Sequence, residues 1–335
     1  VSRRPDGTSR AVRIVHVACD LCGDTASTEY ASGSDFEYQT TLEVFRFVQC
    51  RRCGFLYLNP RPDASELRTI YPPAYYSYVQ RQNRPGANLV SQLRARYYCA
   101  RLRRAFQGFA QPGRRLRVLD VGCGDGRFLD LMRLTFGDAV ETHGIDFDPE
   151  AVDIAARSGH QTRTGTIEDA DYPDGFFDLI YISHVIEHLA SPRAFLGTAH
   201  RLLAPGGGLH VETPNADCAE ARLFRRTYWG GYHFPRHWHL FTPETLRALG
   251  TQCGFDVRAV SYSPSPVFLN WTFHHVLWNH GWSRRFADVF SVTGIYRNTL
   301  HALALIIAFS LVERGLRLFS GGRGSGLVCL LIKRS

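Results

Sequence analysis

Residues 116–129 constrain this chain's fold more than any other stretch. An apolar, strand-forming run ends in Asp120, turns through Gly122, Gly124 and Gly126, and opens into an amphipathic helix. Glycine is needed in such a turn because a Cβ would block the approach of a ligand or forbid a positive φ. The spacing is G-x-G-x-G, with Arg127 where a dinucleotide fingerprint has its third glycine. This points away from a pyrophosphate and toward a nucleoside ligand without one.

From Leu116 onward, strand-like runs at 116–121, 140–145, 178–182 and 209–215 alternate with helical periodicity. That alternation predicts an α/β domain whose parallel sheet carries helices on both faces. Asp146 closes the second strand, where an α/β nucleotide fold presents a carboxylate to ribose hydroxyls. Pro149 suits the first turn of the next helix. The loop 165–169, with Ile167 and Glu168, falls where a base pocket is lined. After the fourth strand, His184, Glu187 and His188 stand at i, i+3 and i+4 and so share one face. They are not in H-E-x-x-H register and no further ligand is evident, so a general base or a cofactor contact is favoured over metal.

Ahead of this domain lie Cys19 and Cys22, then Cys50 and Cys53, each pair spaced C-x-x-C and followed by glycine. Two such knuckles joined by the alternating strand 44–48 form a zinc-ribbon-like site of four thiolates with no open coordination position, hence structural. A redox C-x-x-C is disfavoured by the second pair, and iron would take the same ligands. A run of tyrosines at 71–78 is either a lid over the cofactor or packing between modules. Residues 87–110 read as an Arg-rich helix with Leu89, Leu93, Tyr97 and Ala100 on one stripe. The boundaries drawn are a ribbon at 1–62, a helical linker or lid at 63–113, and the α/β domain at 114–335.

At 335 residues the chain has room for one large domain and an appendage. Its formal charge of +8 rests on arginine, since Lys333 is the sole lysine. Coding bias explains that as well as selection for anionic partners does. The first residues, a loose tail, lack the apolar core of a signal peptide, and 302–312 is shorter than the ~20 residues that span a bilayer. With five cysteines outside the knuckles, this points to a reducing, cytoplasmic setting.

The turn at 120–126, the acid of 144–149, the strand 177–180 and the L-x-P-G-G of 203–207 together resemble the class I S-adenosylmethionine-dependent methyltransferases. The resemblance covers roughly 114–265 plus the final strand, and the cysteine ribbon is similar to a bacterial subfamily acting on sugars, glycan intermediates or natural products. It implies a Rossmann-like seven-stranded sheet whose last strand, near 327–332, runs antiparallel between the fifth and sixth. Asp120, Gly122, Gly124 and Gly126 would lie under the methionine moiety of S-adenosylmethionine, Asp146 on the ribose and Phe147 against the adenine. Ile167 and Glu168 would edge the adenine, and His184 would face the cofactor. Thr166 departs from the acid that many members carry.

The segment 228–239 holds five aromatic residues, His233, His237, His239 and Arg236, and reads as a loop over the substrate cleft, the alternative being a loop tucked against the core by its rings. His237 is the first candidate for the base and His188 the second; Tyr232, His233 and Arg236 are candidates for substrate contact. Residues 264–320 form a mostly helical insertion before the last strand, rich in Phe268, Trp271, Phe273, Trp278 and Trp282 beside Arg284 and Arg285. Such a face suits a membrane surface, a lipid-linked acceptor, or packing on the core or a second subunit. The function expected is O- or C-methylation of a small molecule such as a sugar nucleotide, glycan or natural-product intermediate. RNA methylation and a non-catalytic cofactor-binding module are the alternatives.

Overall fold

The computed structural model describes residues 11–72, 75, 89–111, 113–226, 228–280, 289–296 and 299–334, with backbone alone at 89–94 and 296. The tail before residue 11, most of the tyrosine run, Trp282, Arg284 and Arg285 lie outside the described residues. Strands β1 (Ile14–Val15), β2 (Ser27–Gly33), β3 (Phe45–Cys50), β4 (Leu56–Leu58) and β5 (Arg61–Pro62) come first. The α/β portion contributes β6 (Leu116–Val121), β7 (Val140–Asp146), β8 (Gln161–Thr164), β9 (Phe177–Ser183) and β10 (Leu203–Pro214). Three more follow: β11 (His239–Leu240), β12 (Phe255–Ser263) and β13 (Gly326–Lys333).

The main sheet runs β12-β13-β10-β9-β6-β7-β8. It is parallel except for β13, which is antiparallel to both neighbours. This is the expected Rossmann-like order, with the last strand between the fifth and sixth of the sheet. Leu119, Ile180, Ile182, Leu209, Val211 and Leu331 are fully buried in its core. Local chemistry starts the helices where the residues suggest. Asp148 caps Pro149–Arg157 by accepting from the amides of Glu150 and Ala151. Thr242 and Thr245 cap Pro243–Gln252 reciprocally, Thr245 doing at the third position what Glu usually does.

The cysteine module is not a separate unit. Its sheet runs β11-β4-β3-β2, so one edge strand comes from the segment beyond the main sheet's centre. Trp229, Tyr232, Phe234 and Trp238 fill a core with Phe45, Phe47, Leu56 and Leu58. The segment expected to lie open over the substrate is therefore largely the module's own interior. The knuckles also grip the α/β domain: Asp20 accepts from Ser191 Oγ at 2.7 Å and from the amide of Arg193 at 2.8 Å. A carboxylate there also faces the positive end of the helix Pro192–Leu202.

The helix after the tyrosines spans Leu89–Phe106, and Phe106 is its buried anchor, whereas Tyr97 is 61% exposed. Tyr97 is thus not on a packed stripe as expected but faces the cleft described below. The insertion supplies helices Pro266–Asn279 and Leu300–Phe319, joined by Phe273 and Phe309 with ring centroids 5.4 Å apart. None of the helices searched among the described residues is long and apolar enough to cross a membrane.

Candidate functional site

A cleft of about 790 Å³ opens at the carboxyl ends of β6, β7, β9 and β10, the place where open α/β sheets take ligands. Its floor is the glycine turn at Gly122 and Gly124; Gly126, also expected against the cofactor, does not line the cleft and instead lies close to Ala155 and His160. Gly122, Gly124 and Gly126 all have positive φ, at 79°, 52° and 87°. A Cβ at Gly122 would lie 2.4 Å from Val185 Cγ2, while one at Gly124 would meet no protein atom within 4 Å and would take up open space. The turn is pinned by Asp146, whose Oδ2 accepts from the Gly124 amide at 2.8 Å and whose Oδ1 accepts from the Asp148 amide at 2.9 Å.

Asp120 is buried at the end of β6, and burial together with the charge of Asp146 pushes its carboxyl well above the ordinary range. Such a group is relieved by a cation brought beside it. Phe147, Ile167, Glu168 and His184 also line the cleft. Phe147 is 65% exposed, and its ring lies 6.4 Å from that of Tyr71. Open space at Gly124, an exposed aromatic face and a charge-hungry carboxyl fit a nucleoside carrying a cationic tail.

At the other side of the cleft stand His188 and His237, ring centroids 4.6 Å apart. His188 Nδ1 lies 3.0 Å from the Arg236 carbonyl and 2.8 Å from Tyr71 Oη; His237 Nδ1 lies 2.8 Å from the Gly231 carbonyl. A carbonyl can only accept, so both rings carry their proton on Nδ1 and leave Nε2 with a lone pair. Burial, with the neighbouring histidines, holds both rings neutral: His188 falls to about 4 and His237 well below its usual value.

Behind them Glu187 is wholly buried. It accepts from Thr213 Oγ1 at 3.0 Å and from His184 Nδ1 at 3.3 Å. Burial opposes its ionisation, but the hydrogen bond and charge of His184 outweigh that and keep it low. Burial likewise opposes charge on His184, and Glu187 outweighs it, raising that ring. His184 sits in the left-handed region at φ 53°, a strain that turns its ring into the cleft.

Three candidates for substrate contact are corrected by the structure, since Tyr232, His233 and Arg236 are all buried and none lines the cleft. The Tyr232 hydroxyl donates to the Arg225 carbonyl. His233 pairs with buried Glu37 at 3.4 Å, and Arg236 is bound to Asp35. The physical reason is that the segment packs on β3 and β4, where Asp35 and Glu37 of the loop after β2 and the Arg225 carbonyl give these polar groups fixed partners in place of solvent. Sequence reasoning missed Arg101, Glu212 and Ser263 in the lining. Glu212, a carboxylate within the strand-forming run 209–215, was a signal the residues offered.

The four cysteines converge as expected. Sγ of Cys19 lies 3.5 Å from that of Cys53, and Sγ of Cys22 lies 3.4 Å from that of Cys50. All four sulfurs are within 4.8 Å of one another. Bonds of about 2.3 Å to one tetrahedral ion require sulfurs ~3.8 Å apart, so the set fits zinc with little movement. Gly23 and Gly54, with φ of 77° and 75°, supply the turn under each pair.

Residues 90–260 match a family model described as a methyltransferase domain, just over half of the chain. Among curated proteins, the chain is 30% identical over 173 residues to a ubiquinone biosynthesis O-methyltransferase from Cereibacter sphaeroides, spanning 48% of this chain and 69% of that one. A protein of the same name from Maricaulis maris is 32% identical over 171 residues, spanning 46% and 65%. Among solved structures, a SAM-dependent methyltransferase from Archaeoglobus fulgidus is similar with a TM-score of 0.45 and 21% identity, over 77% of this chain and 100% of that one. With its sheet order, its glycine turn and this family match, the chain belongs to the class I S-adenosylmethionine-dependent methyltransferases.

Proposed function

We propose that the protein transfers a methyl group to a hydroxyl oxygen of a small-molecule acceptor, the oxygen meeting His188 and His237. The observation that carries this reading is that the glycine turn and the histidine pair open into one cleft. Bound S-adenosylmethionine supplies a methyl already activated on a sulfonium, so the chain's work is alignment, exclusion of water and handling of the acceptor's proton. Asp146 would hold the ribose, Phe147, Ile167 and Glu168 the adenine, and Asp120 the cationic end, with Gly122 and Gly124 beneath and His184 alongside. Neutral imidazoles with free Nε2 lone pairs suit an acceptor that must lose a proton near neutrality. The name O-methyltransferase borne by the curated relatives supports oxygen as the acceptor atom.

Arg101 with Tyr97 and Tyr98 on the same wall supports an acceptor that joins a phosphate to a ring, as in a sugar nucleotide or a phosphate-linked glycan or natural-product intermediate. Leu300, Leu303, Ile307, Leu311, Leu318 and Phe319 are exposed on the insertion's second helix. That face supports peripheral contact with a membrane carrying a lipid-linked acceptor; co-sedimentation with vesicles tests it, and a protein that stays in solution removes it. For the chemistry, the full chain is incubated with methyl-labelled S-adenosylmethionine and a panel of phenols, sugar nucleotides and lipid-linked sugars. Label on oxygen supports the reading, and replacing His188 or His237 by Ala lowers kcat by ~100-fold or more. Label on carbon or nitrogen, or none with any acceptor, overturns it.

A further inference from the structure

Spacing alone set a metal aside because His184, Glu187 and His188 had no further ligand in sequence. The fold supplies one. His237, from the segment buried in the cysteine module, brings its Nε2 to 4.0 Å from Glu187 Oε1. Glu187, His188 and His237 each offer one ligand atom, and these atoms lie within 4.8 Å of one another. Bonds of about 2.1 Å from one ion to three donors on one side of it place those donors ~3.0–3.6 Å apart, so the three must draw together by about an ångström.

Three features distinguish this cluster from a chance meeting of polar groups. The first lies behind the ligands. Metal-binding imidazoles as a rule donate their other N–H to a carbonyl or carboxylate, which fixes the tautomer and aims the lone pair. Here His188 Nδ1–H donates to the Arg236 carbonyl and His237 Nδ1–H to the Gly231 carbonyl, and Thr213 and His184 hold the Glu187 carboxylate. Every first contact therefore has a second behind it. The second feature is composition: one buried carboxylate and two neutral imidazoles form a set chosen by first-row transition ions rather than by Mg²⁺ or Ca²⁺, which prefer oxygen alone. The third is access. His188 and His237 line the cleft while Glu187 closes the back, so three protein ligands occupy one side and the remaining positions face an incoming oxygen.

We propose that Glu187, His188 and His237 hold one divalent transition-metal ion, and that the acceptor hydroxyl binds this ion from the cleft. The inference rests on reading the cleft as a site of O-methylation and names the group that ionises the acceptor. Bound to the ion, the hydroxyl releases its proton to water at a pH where a free hydroxyl keeps it. An oxygen lone pair then forms the O–C bond to the methyl as the S–C bond breaks, and that bond's electron pair returns to sulfur, leaving a neutral thioether. Sulfonium charge and oxyanion charge cancel, and no oxidant or reductant is needed. In this assignment the two histidines touch the acceptor's oxygen through the ion rather than as the base itself.

The test uses Mn²⁺ as probe on the full chain after mild chelation that leaves the cysteine-bound ion in place, since four thiolates select softer ions. Electron paramagnetic resonance, with S-adenosylhomocysteine present, should show one bound Mn²⁺ per chain. Glu187→Gln and His237→Gln should each weaken that binding by roughly 100-fold or more. Retained affinity for S-adenosylhomocysteine certifies that a variant is folded, and His188→Gln replaces either one that fails this check. Failure of the unmodified chain to bind Mn²⁺, Fe²⁺ or Zn²⁺ beyond the cysteine-bound ion overturns the proposal, as does binding that survives these substitutions. Methyl transfer to a hydroxyl at full rate by the stripped protein also overturns it and leaves the O-methylation reading standing. Metal binding at these residues without transfer to any hydroxyl does the reverse: it sustains the site and defeats that reading.

Discussion

Arg236 Nη2 lies 2.8 Å from Asp35 Oδ2 and its Nη1 lies 3.0 Å from Oδ1, a two-pronged pair with both side chains fully buried. It joins the segment before β11 to the loop after β2. Burial works against the Asp35 carboxylate, and the Arg236 guanidinium outweighs it, holding that carboxyl below its ordinary range. Asp35→Ala would leave the buried guanidinium with only Glu37 at 3.7 Å and the Phe234 carbonyl at 3.1 Å, and should cost about 3–5 kcal/mol in urea unfolding. Arg236→Ala should be similarly damaging. If Arg236 instead gripped the acceptor, its loss would raise KM and leave stability alone.

Gly122 carries two constraints at once, a φ of 79° and a neighbour, Val185 Cγ2, at 2.4 Å from where a Cβ would stand. Gly122→Ala should weaken S-adenosylhomocysteine binding by roughly tenfold or more in calorimetry, since the left-handed conformation alone costs an alanine about 1–2 kcal/mol. Adding Val185→Ala should recover only the part due to the clash. Full recovery would mean that the backbone conformation is not what binding requires.

Glu220 is buried and accepts from Thr272 Oγ1 at 3.1 Å. Burial, with Glu313 nearby, pushes its carboxyl up to about 8. The sign follows from linkage. Below about 4.5 the group is protonated folded or unfolded, whereas between ~4.5 and ~8 the unfolded chain gives up a proton that the folded chain keeps, so stability falls as pH rises through that window. Glu220→Gln keeps the shape and removes the titration. It should stabilise the protein at pH 8 by on the order of 3 kcal/mol and have little effect at pH 4. Urea midpoints at the two pH values check it; an equal effect at both would sink the assignment.

Cys50 stands at the end of β3 and is buried in the core that runs from the knuckles into the α/β domain. If the four thiolates hold a structural zinc ion, Cys50→Ser should release it, read by elemental analysis, and lower Tm by roughly 10 °C or more, because such an ion contributes directly to folding. The knuckle bearing Asp20 also braces the helix Pro192–Leu202. Loss of the ion with an unchanged Tm would show that the brace stands without it.

The glycine-turn side of the cleft was legible because its form is local. Asp120, the three glycines and Asp146 sit in strands and turns whose form depends on near neighbours. The knuckles were legible for the same reason, each being a turn of a few residues. The segment 228–240 was not. Its aromatic and basic content favoured a loop over the substrate cleft above one tucked against the core, yet what its groups touch is decided by Asp35, Glu37, Phe47 and Leu58, far away in sequence. A pattern read along the chain cannot show that a cation's partner lies in another module. The same blindness hid the meeting of His237 with Glu187 and His188.

The edge strand β11 has one more consequence, which concerns the order of synthesis. Leu56 and Tyr57 are made early and pair with Leu240 and His239, so the module at the start of the chain stays without one of its edges until the fifth strand of the main sheet has emerged. Its aromatic residues wait for Trp229 and Trp238 over the same interval. Pairing this distant slows folding and leaves sticky surface exposed in the meantime. On the ribosome, the cysteine module is made well before the strand that completes its sheet.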